Sequence, residues 1–206
     1  MTTPDLKKAN AELAGDPERL TAWALGLGLR AFCSSSFGPF SAVTLHMATR
    51  VQPQIPVIWI DSGYGTAAMY RYVDEVAAQL KLNLHIVRPR RSRAHREAAD
   101  GPLPELGSPG HAAFTEEVKL EPFDRAVREL GGKVWITGIR AEETAERARM
   151  EPVSLARDGI LRVAPVLQWN SRQMHEYLKR HHLPNNFDYF DPTKVEDRRE
   201  CGLHVG

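Results

Sequence analysis

"LRAFCSSSFGPFSAVTLHMATR", Leu29 to Arg50, changes character twice within one stretch. Leu29 to Cys33, apolar but for Arg30, has the length of a buried strand. Ser34, Ser35 and Ser36, followed by Gly38 and Pro39, break it into a loop. From Ala42 the spacing of apolar residues is helical, and Ser41 is placed to cap that helix. A strand, a loop and a helix in that order form one half of a β-α-β unit.

The unit recurs downstream. "IPVIWID" (Ile55–Asp61) is a second buried strand, "SGYGT" (Ser62–Thr66) a Gly-bearing turn, "AAMYRYVDEVAAQL" (Ala67–Leu80) a helix and "LNLHIV" (Leu82–Val87) a third strand. Upstream, Asp16 and Pro17 open a helix over "DPERLTAWALGLG". Downstream, "TEEVKLEPFDRAVREL" (Thr115–Leu130) reads as one helix stopped by Gly131 and Gly132, and "KVWITGI" (Lys133–Ile139) as a strand. "PVSLARDGILRVAPV" carries Asp158 and Gly159 between two apolar runs, as a hairpin does, and Ser171 is placed to cap a last helix, "RQMHEYLKRH". "RPRRSRAHREAADGPLPELGSPGHAAF" (Arg88–Phe114) interrupts the order and reads as a long surface excursion, open to use as a lid. Strand–helix alternation predicts a doubly wound α/β fold with a mostly parallel sheet and helices on both faces. Residues 1–190 would form one domain and 191–206 a mobile tail.

Composition narrows the function classes. Among 206 residues, 27 Lys and Arg balance 26 acids for a net charge of +1, which gives no footing for a nucleic-acid wrapper or a membrane-surface binder. No run approaches the roughly 18 apolar residues of a membrane span, and "MTTPDLKKANAEL" lacks the apolar core of a signal peptide, so a cytoplasmic location is expected. Two cysteines, Cys33 and Cys201, are too few for a zinc ribbon or an iron–sulfur cluster held by this chain alone. No histidine spacing points to a metal site.

Ligands of doubly wound sheets sit at the carboxyl ends of the strands. Three polar stretches fall there: the serine loop, "DSGYGT" and "GIRAEETAER". Free N–H groups and hydroxyls at a helix start suit phosphate or sulfate, which makes Ser34, Ser35, Ser36, Gly38 and Ser41 anion candidates. A plain polar turn explains the same residues. Arg140 and Arg147, seven apart, share a face if their stretch is helical and could grip a multiply charged anion. A solvated surface laced with Glu142, Glu143 and Glu146 fits their spacing equally. Arg88, Arg90, Arg91, Arg93 and Arg96 read either as an exposed loop or as a basic flap over a polyanion. Cys33 lies in an apolar strand and is expected to be an inert buried thiol. Cys201 lies among Arg198, Arg199 and His204, whose charges would favour its thiolate, and is a candidate nucleophile.

Taken in order, "SSSFGPFSAVTLH", "VIWIDSGYGTAAMYRYVDEV", "KLEP", "WITGIRAEETAERAR", "ILRVAPVLQW" and the terminal "ECGLH" resemble the thioredoxin-dependent phosphoadenylyl-sulfate (PAPS) and adenylyl-sulfate reductases of sulfate assimilation. The resemblance runs from about Arg30 to Leu183, plus the tail. It implies an adenine-nucleotide α-hydrolase-like, Rossmann-like fold. It further implies that the serine loop holds phosphate or sulfate, with Asp61, Gly63 and Tyr64 beside the nucleotide. Lys119, Arg140, Arg147 and His204 would contact substrate, and Cys201 would be the nucleophile. Reduced thioredoxin or glutaredoxin would serve as electron donor with no cofactor bound, and the chain would form a homodimer. Where related pyrophosphatase-type loops carry an acid, this chain has Phe40, which argues against magnesium-assisted ATP chemistry. The paired cysteines of the cluster-bearing branch are missing, which favours PAPS over adenylyl sulfate. "IRAEE" has Ala141 where the family usually shows a second arginine. Cluster-free adenylyl-sulfate reduction and a non-catalytic nucleotide-binding relative stay open.

Overall fold

The structure is a computed structural model that describes residues 4–156, 159–194 and 203–204. Its centre is one six-stranded sheet ordered β3-β2-β1-β4-β6-β5. The strands are β1 (Ala31–Ser34), β2 (Pro56–Ile60), β3 (Asn83–Val87), β4 (Val134–Thr137), β5 (Val153–Leu155) and β6 (Leu161–Val163). All pairings are parallel except β5 with β6, the hairpin expected around Gly159, whose φ of +70° suits glycine. The chain winds from β1 outward to β3, then crosses to β4 on the other side of β1. That reversal opens a crevice at the carboxyl ends of β1 and β4. Ser34 is level with Thr137 and with Ile58, so β1 and β4 finish together there while β2 runs on to Ile60.

Successive residues of each central strand face opposite sides of the sheet. Cys33, Val57, Trp59, Val134 and Ile136 join the larger core, beneath α1 (Leu6–Leu13), α2 (Pro17–Leu25), α3 (Ser41–Val51), α4 (Ala67–Leu80) and α8 (Ser171–Arg180). Phe32, Ile58 and Trp135 face the other way, against Phe123, Ala126 and Val127 of α7 (Glu121–Leu130). Burial on both faces is why these strands read as continuous apolar runs. No helix among the described residues is long and apolar enough to cross a membrane.

Local signals differ from expectation in four places. Asp16 caps α2 as expected, but α3 begins after Phe40, a left-handed residue with no side-chain cap, so Ser41 is its first residue and not its cap. Asn170, not Ser171, caps α8, through a reciprocal capping box with Gln173. The Arg88–Phe114 excursion holds two short helices, α5 (Arg93–Asp100) and α6 (Pro109–Thr115), capped by Ser92 and Ser108. The helix expected over Thr115–Leu130 contains a π turn, Glu116–Leu120, ahead of α7. Pro122 explains that turn: it lacks the N–H that an α ladder would bond to Val118.

Candidate active site

The serine loop crosses the crevice in a tight, strained path. Phe37 (φ 51°) and Phe40 (φ 65°) are both left-handed, a conformation costly for side-chain-bearing residues unless packing over-determines it. Packing does so. Phe37 is fully buried, edge-on to Trp59 and Tyr72, while the Phe40 ring meets His175 and Phe187 edge-on and carries the Arg140 guanidinium 4.9 Å from its centroid. With the aromatic rings turned inward, the serines that flank them and the Gly38–Pro39 pair between them line the crevice. Ser35 Oγ accepts from the Phe37 amide, Ser34 Oγ accepts from the Trp135 indole at 2.7 Å, and Ser41 Oγ lies 3.3 Å from the Tyr72 hydroxyl. Gly38 lies beneath Tyr189, whose ring a Cβ would meet at 3.3 Å.

One cleft is lined by Ser34, Ser35, Ser36, Gly38, Ser41, Lys119, Arg147 and His204, all eight anticipated from sequence. Lys119 comes from the π turn, and its ammonium is bonded to the carboxylate of Asp191 and to Thr193 Oγ1 at 3.2 Å. Burial alone would raise the Asp191 carboxyl, but the Lys119 charge and the Thr193 hydrogen bonds outweigh it and hold the group at about 2. Arg140 and Arg147 do not share a helix face, since two 3-10 turns separated by extended Thr144 carry them. Both are nevertheless buried, which removes the solvated-surface reading, and both bond Glu143. Arg147 lines the cleft; Arg140 stands behind it, bonded to Glu142 and to Ser171 Oγ at 3.1 Å.

Asp61, Gly63 and Tyr64 stand at the β3 side of the cleft and contribute nothing to its lining, although Ser62 does. Asp61 is committed elsewhere: its carboxylate accepts from the Gly63 amide, the Tyr70 hydroxyl at 2.7 Å and Arg88 Nε at 3.1 Å. Tyr64 is buried under the excursion, with Arg93 4.5 Å from its ring centroid and Arg96 bonded to its hydroxyl. Arg96 is itself buried between Tyr64 and Phe114. Arg90 and Arg91 pair with Glu121 and with Glu117 and Asp100. The cluster is therefore internally neutralised and latched to the "DSGY" turn, neither a loose loop nor a bare basic flap.

Cys201 lies outside the described residues. Three positions beyond it, His204 is buried in the cleft wall, stacked on Trp135 at 4.8 Å, with its carbonyl accepting from Arg162 Nη1 at 2.6 Å. Burial, then the charges of Arg147, Arg162, Lys119 and Lys194, push the imidazole well below its usual range, so it is neutral. Its Nδ1 is buried without a hydrogen-bond partner among the described residues. Cys33 is fully buried, and desolvation raises its thiol to about 12, as an inert core thiol requires.

Sequence reasoning missed Tyr189, Asp191, Thr193, Thr44 and Gly138, which also line the cleft. Only Asp191-Pro192-Thr193 carried a local signal, a turn, and a turn does not announce a buried carboxylate.

A model of the phosphoadenosine phosphosulfate reductase domain family matches residues 30–190. A phosphoadenosine 5'-phosphosulfate reductase of Synechococcus sp. is 38% identical over 231 residues, covering 98% of each chain. Its namesake in Escherichia coli K12 is 36% identical over 225 residues, covering 98% of this chain and 92% of that one. The solved PAPS reductase of Candida auris, in complex with phosphate, shares the fold with a TM-score of 0.77 at 23% identity, over 90% of this chain and 91% of that one. A domain match across the whole nucleotide-binding core and relatives aligned nearly end to end agree, and the chain belongs to the phosphoadenosine phosphosulfate reductase family.

Proposed function

We propose that this chain reduces 3'-phosphoadenylyl sulfate to sulfite and adenosine 3',5'-bisphosphate, with Cys201 as the nucleophile. The observation that carries the reading is the shared cleft: the serine loop, Lys119 and Arg147 line the same space as His204, three residues from Cys201. The Cys201 thiolate attacks the sulfonate sulfur, an S–S bond forms and the S–O bond to the phosphate breaks. Adenosine 3',5'-bisphosphate leaves with that electron pair. Lys119, Arg147 and loop N–H groups would offset charge on the leaving phosphate and the sulfonate oxygens. Neutral His204 would offer a ring N–H to the same anion without displacing it as a base.

S-sulfonated Cys201 then needs a second thiol. Cys33 cannot supply it, being buried with its thiol raised to about 12. An external dithiol, reduced thioredoxin or glutaredoxin, attacks Cys201 sulfur, and sulfite departs with the electron pair. The donor's second thiol resolves the mixed disulfide, so the donor gives two electrons and becomes a disulfide. The reading includes a homodimer, with residues 191–206 acting as a catalytic tail on a 1–190 domain. Asp61, Gly63, Tyr64 and Arg140 support the site from outside the cleft lining.

The test is sulfite release from PAPS and from adenylyl sulfate with reduced thioredoxin. PAPS is expected to show the higher kcat/KM, and Cys201→Ser to lose sulfite formation by at least about 10³-fold. Undiminished release in the variant would refute the mechanism. A higher kcat/KM for adenylyl sulfate would move the assignment to that substrate, consistent with Ala141 replacing the family's second arginine.

A further inference from the structure

Phe32 of β1, Trp135 of β4, Arg162 of β6 and Ser154 of β5 are register partners and form one row across the sheet. The row is tied at both ends. The Trp135 indole donates to Ser34 Oγ of the anion loop, and Arg162 Nε donates to Ser154 Oγ at 3.1 Å. The chain's end lies on top of it: the His204 ring is parallel to Trp135 within 16°, the His204 carbonyl accepts from Arg162 Nη1, and Leu203 packs with Phe32, Ile58 and Phe123. Arginine is an unusual choice for the interior of a sheet, because burying a guanidinium is costly unless acceptors meet it. One of those acceptors is a main-chain carbonyl of the tail.

We propose that this row is a dock for the end of the chain, and that Arg162 and Trp135 are positioning residues that hold Cys201 at the cleft for attack. The inference rests on the reading of Cys201 as the nucleophile. Chain geometry supplies its weight. A residue two positions from Leu203 stays within about 7 Å of it, whereas one tethered only from Lys194, seven positions away, ranges over about 25 Å. Docking therefore concentrates the thiol on the order of 40-fold around the cleft. The contacts of Leu203 and His204 are a stack, an apolar side chain and a hydrogen bond to a carbonyl, and each is weak enough singly to suit a hold that is released each turnover for the electron donor. Because Arg162 grips a backbone oxygen, the dock reads where the tail lies and not which side chain it presents.

Two rates are measured on the full chain: iodoacetamide alkylation of Cys201 without substrate, followed by peptide mass, and S-sulfonation of Cys201 by PAPS without reductant. For Arg162→Met, alkylation is expected to quicken by at least about fivefold and S-sulfonation to slow by about tenfold. The Kd for adenosine 3',5'-bisphosphate should stay within about twofold. Arg162→Lys, which keeps one donor, should fall between. Unchanged alkylation and S-sulfonation would overturn the dock, and a Kd that weakens in step would make Arg162 a nucleotide ligand instead. If Arg162→Met fails to fold, His204→Gly leaves the sheet intact and must show the same faster alkylation; protection equal to wild type overturns the proposal. A wild-type chain that forms no S-sulfonated Cys201 would sink the proposed function alone, because the alkylation arm uses no substrate.

Discussion

Lys119 illustrates how individual charges in this cleft are kept. Its ammonium does not wait bare for an anion; Asp191 holds it, at the bottom of a segment whose Tyr189 ring covers Gly38. Arg147 is held likewise by Glu143. A carboxylate on a buried cation preserves charge balance, but an incoming phosphate or sulfonate must compete with it. The Asp191 carboxyl sits at about 2, against 3.8 for an unperturbed group, worth about 2 kcal/mol. Because the folded value is the lower one, that stability is present above about pH 4 and is lost as pH falls toward 2. Asp191→Asn is therefore expected to lower stability by about 2 kcal/mol at neutral pH and, by removing the competing charge, to tighten adenosine 3',5'-bisphosphate binding several-fold in calorimetry. Weaker binding would show that Asp191 orients Lys119 and does not occupy it.

Among the elements that line the cleft, a close fit lies where α3 passes the end of β4. A Cβ on Gly138 would lie 3.0 Å from Thr44 Oγ1, and both residues line the cleft. Gly138→Ala should force α3 or the loop after β4 outward, costing about 1–3 kcal/mol and about 5 °C of Tm, and should weaken nucleotide binding. An unaltered melting curve would mean Thr44 swings clear. Elements whose signals are local were legible: β1 to β4 as apolar runs, α2 from Asp16 and Pro17, and the β5–β6 hairpin from its glycine. Elements that lean on distant packing were not. In α1 only Ala9 and Leu13 are buried, too thin an apolar stripe to mark a helix. The polar α5 and the short α6 follow Ser92 and Ser108, good N-caps that the density of arginine, proline and glycine obscured. Phe40 as a helix cap has no sequence rule behind it, because rings elsewhere in the fold enforce its conformation. At the site, the serine-loop residues and Arg147 were readable because strand ends and loops carry them, whereas Lys119, in the π turn, and His204 came only through the family resemblance. Asp191, Trp135 and Arg162 were not, since their roles exist only once the tail lies against the sheet.

For the molecule as a whole, the order β3-β2-β1-β4-β6-β5 fixes both where the cleft opens and where Leu203 and His204 lie against the sheet. The reversal between β1 and β4 opens the cleft, and the same two strands carry Ser34 and Trp135, so the serine loop and His204 share a wall. The larger core on the opposite face keeps Cys33 at zero exposure in the central strand. That burial withholds one of the chain's two thiols from water-borne reagents. Ellman's reagent should count about one reactive thiol per chain in native buffer and about two in denaturant, where a count of two without denaturant would contradict the buried assignment. Because β1 has neighbours on both sides, Cys33 can be modified only when the sheet itself comes apart. Its slow labelling under native conditions then serves as a built-in clock for global unfolding, readable in the same sample in which Cys201 is labelled.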